Sequence, residues 1–253
     1  MDIFPIPALK DNYIWAIHAA GAVVAVDPGD ARPVQDEIGR RGLRLVGILV
    51  THHHWDHVNG IPDLLMRYRV PVYGPASETI PERTVGLRGG DTFQIADLGL
   101  EMRALAVPGH TLGAIAYHGH GWLLSGDTLF TAGCGRLFEG TAVQMYASLG
   151  TLATLDPATR VYCGHEYTRQ NLLFARMVEP GNAVLGRRLA FVESQRALGT
   201  PTVPAALATE TETNPFLRCH VPEVREAAER HAGRRLVSPV EVFGALRAWK
   251  DKV

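Results

Sequence analysis

The sequence predicts an α/β lobe followed by a smaller helical lobe. Three observations lead there. Strand-like apolar runs alternate with helical patterns as far as residue 165. Several of those runs end in Gly-Asp or Gly-His. Beyond His165 the strand signals fade while helical periodicity continues. The boundary therefore falls between lobes 1–165 and 166–253.

Taken in order, Asn12–His18 and Ala22–Val26 read as paired strands around a turn at Gly21. A helical stretch follows over Ala31–Arg41. Leu45–Val50 is a continuous apolar run, as expected for a strand buried on both faces. Asp56–Tyr68 reads as one helix with Ile61, Leu64, Leu65 and Tyr68 on one side. Further strands are expected at Val70–Tyr73, Asp91–Ile95, Leu100–Val107, Ala114–His118, Trp122–Leu124 and Arg160–Cys163, and a helix over Met145–Leu155. In the second lobe Tyr167–Val178 and Val184–Leu198 read as helices, and the Pro- and Thr-rich Thr200–Asn214 as a loop. Helices near Pro222–His231 and Pro239–Lys250 each have Pro close to the first helical position. Gly233 stops the former, and Ser238 and Glu241 have capping-box spacing at the start of the latter.

Composition narrows the function. With 46% hydrophobic and 20% charged residues, the 253-residue chain can bury a sizeable core and is not disordered. No apolar run is long enough to cross a bilayer, and Met1–Pro5 lacks the basic and apolar regions of a secretory signal, so a cytoplasmic protein without a membrane partner is expected. Three cysteines are too few for a disulfide scaffold. A net charge of −1 speaks against general nucleic-acid binding. The charge is uneven: 12 basic against 16 acidic residues in the first lobe, 13 against 10 in the second. The first lobe is either a solvated acidic surface or holds carboxylates for cations; the second is either unremarkable or receives an anion.

The main signal is Thr51-His52-His53-His54-Trp55-Asp56-His57, which begins where the buried run ends. Burying so many polar groups without partners would cost several kcal/mol, roughly 2–7 for each. Imidazole and carboxylate are donors that zinc, iron and manganese accept. Residues two apart point the same way at a strand end, so His52, His54 and Asp56 converge if the chain stays extended, and His57 turns toward them where a helix begins. His53 and Trp55 alternate out of this set. The number of donors suggests two ions. His110, Asp127 and His165 end other apolar runs, each preceded by Gly. Asp27 ends the run VVAVD and is either a turn residue before Pro28-Gly29 or a group outside the ligand set. Cys134 and Cys163 read as structural, as do His18, His118, His120, His220 and His231.

At these residues the chain resembles the metallo-β-lactamase superfamily, whose T-H-x-H-x-D-H pattern is present as Thr51–His57. The resemblance implies a four-layer αβ/βα sandwich followed by a small all-α domain. It also implies two divalent metal ions, zinc before iron or manganese. His52, His54 and His110 would hold one, Asp56, His57 and His165 the other, and Asp127 would bridge them. Within that superfamily the stretches Gly133–Thr141, Cys163–Thr168, Asn214–Arg218 and Leu246–Asp251 are similar to the glyoxalase II family. This implies hydrolysis of S-(2-hydroxyacyl)glutathione thioesters, chiefly S-D-lactoylglutathione from methylglyoxal detoxification, with Asp56 and Asp127 as catalytic carboxylates. A persulfide dioxygenase or a lactonase is the alternative.

Arg247 and Lys250 are three residues apart on the last expected helix and share a face. They are either a solvated helix end suited to the macrodipole or, as the resemblance implies, the site of the glutathione glycine carboxylate. The resemblance adds Tyr167 as a hydroxyl donor and Arg136 and Phe138 as further substrate contacts. Some relatives carry Lys and Tyr at those last two positions. A small-molecule partner and a monomer are expected.

Overall fold

A computed structural model describes residues 1–253. The backbone groups into two compact units, Met1–Val107 with Gly113–Gly126, and Pro108–Leu112 with Asp127–Val253.

The first unit opens with β1 (Asp2–Ala8), β2 (Asn12–Ala19) and β3 (Ala22–Val26). The turn between β2 and β3 places Ala20 and Gly21 at φ 49° and 79°, the hairpin geometry that matches strand twist. β1, which contains Pro5 and Pro7, was not among the expected strands. It lies at the sheet edge with β2 alone as neighbour, where proline is tolerated. Helix α1 (Ala31–Arg41) follows, with the Asp30 carboxylate accepting from the Arg32 N–H (3.0 Å) at its start. β4 (Arg44–Leu49) is buried from Leu45 onward and runs parallel to β3 and to β5 (Val72–Pro75), as its unbroken apolar run requires. With β6 (Val85–Leu87) the sheet is ordered β1-β2-β3-β4-β5-β6.

The single helix expected over Asp56–Tyr68 is instead two, α2 (Trp55–Val58) and α3 (Ile61–Arg67). The break has a packing cause. The Gly60 N–H donates to Pro28 O (2.9 Å), and a Cβ at Gly60 would lie 2.6 Å from that oxygen. Pro62 then starts the second helix. Ile61 and Leu64 are fully buried and join Ile6, Ile14, Val34, Ile38 and Ile48 in the core between the helices and one face of the sheet.

Against the other face stand β7 (Thr92–Ile95), β8 (Leu100–Ala106), β9 (Ile115–Gly119) and β10 (Trp122–Gly126), ordered β10-β9-β8-β7. Phe93 stacks on Tyr73 (5.3 Å) and meets Tyr117 edge-on (5.6 Å). The buried Tyr117 hydroxyl donates to Val50 O (2.7 Å), so aromatic packing and a satisfied polar tip join the two sheets.

The second unit contains the hairpin β11 (Leu129–Phe130) and β12 (Gly133–Cys134), then α4 (Ala142–Ala153), β13 (Arg160–Cys163), α5 (Thr168–Val178) and α6 (Ala183–Ala197). It closes with β14 (Ala205–Ala206), α7 (Leu207–Thr213), α8 (Pro222–Ala232) and α9 (Pro239–Lys250). Helix α4 begins three residues before the expected Met145 because Thr141 and Gln144 form a complete capping box. The box expected at Ser238 is only half made: Ser238 Oγ accepts from the Glu241 N–H (3.3 Å), but the Glu241 carboxylate takes the Val237 N–H (3.2 Å). The loop expected over Thr200–Asn214 contains β14 and α7. Tertiary partners override its composition: the wholly buried Glu210 pairs with Arg188 and accepts from the Ala132 N–H (2.6 Å). No helix is long and apolar enough to cross a membrane.

Removing one side of that buried pair should leave an uncompensated carboxylate. Arg188→Met is expected to lower unfolding stability by about 3–5 kcal/mol, read from guanidinium denaturation midpoints.

Candidate metal centre and cationic pocket

In the first unit the donors gather at the carboxyl ends of the parallel strands β3 and β4. Asp27, at φ 53°, accepts the Thr51 N–H on Oδ1 and the Thr51 hydroxyl on Oδ2, both at 2.7 Å. This makes Asp27 more than a turn residue. The Thr51 hydroxyl proton is thereby committed to Asp27. His52 Nδ1, 3.0 Å from that hydroxyl oxygen, must then be the donor to it, which turns the lone pair onto Nε2. His57 Nδ1 lies 3.1 Å from Asp27 Oδ2 and its Nε2 lies 3.5 Å from Asp56 Oδ2. His52 Nε2 and His54 Nδ1 are 3.2 Å apart. His52 and His57 are each 1% exposed. The close fit at this strand end needs Gly126, at φ 49°: a Cβ there would meet Thr51 Oγ1 at 2.3 Å. His53 turns out of the set as expected, and its ring Nδ1 and backbone N–H both meet Glu78 Oε2.

In the second unit Asp127 Oδ2 lies 3.6 Å from His110 Nε2 and 3.3 Å from His165 Nε2. His110 Nδ1 sits 2.8 Å from the Arg136 carbonyl, an acceptor, which again fixes the proton on Nδ1 and the lone pair on Nε2. All three residues are buried. Tyr167 stacks flat on His165 (4.7 Å), and the exposed Phe138 meets His110 edge-on (5.3 Å).

These separations test whether a metal fits. A tetrahedral ion with ligands roughly 2.0–2.2 Å away sets its donors about 3.3–3.6 Å apart. The four donor separations run from 3.2 to 3.6 Å, and the His110 tautomer turns its lone pair toward Asp127 Oδ2. The donor set fits a divalent metal site.

The helical part of the second unit assembles cations. Arg247 is buried, not at a solvated helix end as one sequence reading had it. Its guanidinium donates to Cys134 O (2.8 Å) and Asp251 Oδ1 (3.0 Å). Arg136 Nε reaches the same Asp251 oxygen at 3.2 Å. The Lys250 ammonium donates to Asn171 Oδ1.

Residues 10–165 match the family described as "Metallo-beta-lactamase superfamily", and residues 166–253 that described as "Hydroxyacylglutathione hydrolase C-terminus". The hydroxyacylglutathione hydrolase of Alkalilimnicola ehrlichii is 56% identical over 253 residues, covering 99% of each chain. That of Nitrosomonas eutropha is 50% identical over 251 residues, 99% of this chain and 98% of its own. The chain belongs to the hydroxyacylglutathione hydrolase family. A crystal structure of ETHE1 from Myxococcus xanthus matches 99% of this chain and 98% of its own, with a TM-score of 0.67 at 24% identity. The fold is thus the metallo-β-lactamase fold with an all-helical C-terminal region, as expected.

Sequence reasoning within this family missed Asn12, Asn171 and Asp251. Asn12 Nδ2 donates to Asp56 Oδ2 (3.0 Å). A buried polar residue opening an apolar strand was its one available signal. Cys134, Cys163 and Cys219 are buried and in no disulfide. Burial raises all three thiols, that of Cys163 to about 12, which leaves them poor ligands and poor nucleophiles at neutral pH.

Asp127→Ala, dialysed beside the wild type, is expected to retain far less metal by elemental analysis, whereas Arg247→Ala retains the wild-type content. Equal content in both variants would remove Asp127 from the ligand set.

Proposed function

We propose that the chain hydrolyses the thioester of S-(2-hydroxyacyl)glutathione, chiefly S-D-lactoylglutathione, to glutathione and D-lactate, the second step of methylglyoxal detoxification. One observation carries the reading. Relatedness to hydroxyacylglutathione hydrolases at 50–56% identity extends over 99% of the chain, the cation-bearing helical part included. The shared border of the two family matches supports a catalytic domain over 1–165 and a substrate-binding domain over 166–253.

The metal site is read as two divalent ions, zinc foremost, with iron and manganese accepted by the same donors. His52, His54 and His110 would hold one, Asp56, His57 and His165 the other, with Asp127 a ligand to both. A single oxygen of Asp127 faces an imidazole from each triad, which supports a bridging role. When bound, such ions lower the pKa of water toward about 7 and polarise a carbonyl oxygen.

The chain's own groups do the rest. Asp56 and Asp127 orient the attacking water and take its proton; the Asn12 amide fixes which Asp56 oxygen faces inward. The leaving thiolate, with an intrinsic pKa of about 8.5, needs less protonation than an amine. Arg247, Lys250 and Arg136 bind the glycine carboxylate, for which planar guanidinium groups are suited. The Tyr167 hydroxyl donates to the peptide portion, and Phe138 offers a ring without a hydroxyl.

A steady-state assay with S-D-lactoylglutathione tests the reading. Thioester cleavage should disappear on chelation and return with added zinc; oxygen uptake with glutathione persulfide, and no thioester cleavage, would make this a persulfide dioxygenase.

The pH dependence has a fixed sign. Burial lowers the Lys250 ammonium to about 8; Arg247 and Arg136 push the same way, while Cys134 and Asp251 oppose. Lys250 is cationic below that value and neutral above it. KM should therefore rise as pH climbs through about 8, and Lys250→Met should flatten that rise.

A further inference from the structure

The hairpin of β11 and β12 follows Asp127 in the chain and leads to Arg136. Its backbone is held by side chains from four helical positions. The Asn214 amide donates to Phe130 O (3.3 Å) and Gly133 O (2.9 Å), and the Asn171 amide to Thr131 O (2.8 Å). Glu210 accepts from the Ala132 N–H (2.6 Å), and Arg247 donates to Cys134 O (2.8 Å). Among these groups Asn171 has a second task. It is 1% exposed, and its Oδ1 accepts from the Lys250 ammonium while its Nδ2 is committed to the hairpin. Gly133 makes room for it, since a Cβ there would lie 2.5 Å from Asn171 Nδ2. Phe174 and Phe216 lie 6.0 and 5.8 Å from the Lys250 nitrogen but supply no hydrogen-bond acceptor.

We propose that Asn171 is a positioning residue for substrate carboxylate binding: its amide, anchored on the hairpin, fixes the Lys250 ammonium beside Arg247. The assignment rests on the functional reading above and adds to it. A flexible lysine stem left without an acceptor loses its single orientation, and the bound carboxylate loses a preset partner. The hairpin anchor also ties that ammonium to the backbone that carries Arg136, so both cations share one rigid support.

The test is steady-state kinetics on the metal-loaded full chain. Asn171→Ala should raise KM for S-D-lactoylglutathione about tenfold, the scale of one hydrogen bond to a charged group, and leave kcat within about twofold and metal content unchanged. The KM effect should vanish with the substrate's glycine carboxylate esterified, and should add nothing in a Lys250→Met background. Asn171→Ser, too short to span both partners, carries the same test if the alanine variant does not fold. Equal KM increases on both substrates would overturn the assignment. So would a loss of kcat and metal at constant KM, which would make Asn171 a support of the hairpin alone. An active wild type with an unaltered variant KM defeats only this assignment; a wild type that cleaves no glutathione thioester defeats the functional reading and this assignment with it.

Discussion

An imidazole lone pair aimed at a carboxylate oxygen, as that of His110 is at Asp127 across 3.6 Å, is repulsive unless a positive charge lies between them. The chain builds this arrangement deliberately. Asp27 holds the Thr51 hydroxyl, and that hydroxyl and the Arg136 carbonyl each accept an Nδ1 proton, which turns the lone pairs of His52 and His110 onto Nε2. Buried polar groups ordinarily find partners among themselves. Here the partners are assigned so as to leave an electron-rich concavity that a divalent ion stabilises. The strands deliver the groups, and the hydrogen bonds at Nδ1 orient the rings of His52 and His110.

The surrounding fold follows from the need to hold those groups still. β4 is buried on both faces, and its end cannot move without opening the core. The joint at Gly60 ends α2 one turn after His57, and α3 leaves in a direction set by contact with the 28–31 segment. In the second unit a two-stranded hairpin has too few ladder bonds to be rigid by itself. Buried amides, a carboxylate and a guanidinium supply what the ladder lacks.

Legibility in the sequence tracked how local each cause was. The elements Ala31–Arg41, Arg160–Cys163 and Pro239–Lys250 matched their expected bounds because caps, periodicity and apolar runs all lie within the segment. The two-helix division at Gly60, the strand containing Pro5 and Pro7, and the helix within Thr200–Asn214 depend on residues far away in the chain, and short windows misread them. The seven ligand candidates were legible because metal donors are chemically rare in such density. Asn12, Asn171 and Asp251 were not, since an amide or acid whose work is to orient another side chain looks like any polar residue until its neighbour is known. The burial of Arg247 was likewise invisible in a pattern that equally described an exposed helix end.

The three sequestered thiols carry a further consequence. While it stays folded, the protein offers electrophiles almost no sulfur anion. Alkylating probes therefore encounter targets only after global opening, and the rate of their incorporation into native enzyme becomes a clock for spontaneous unfolding.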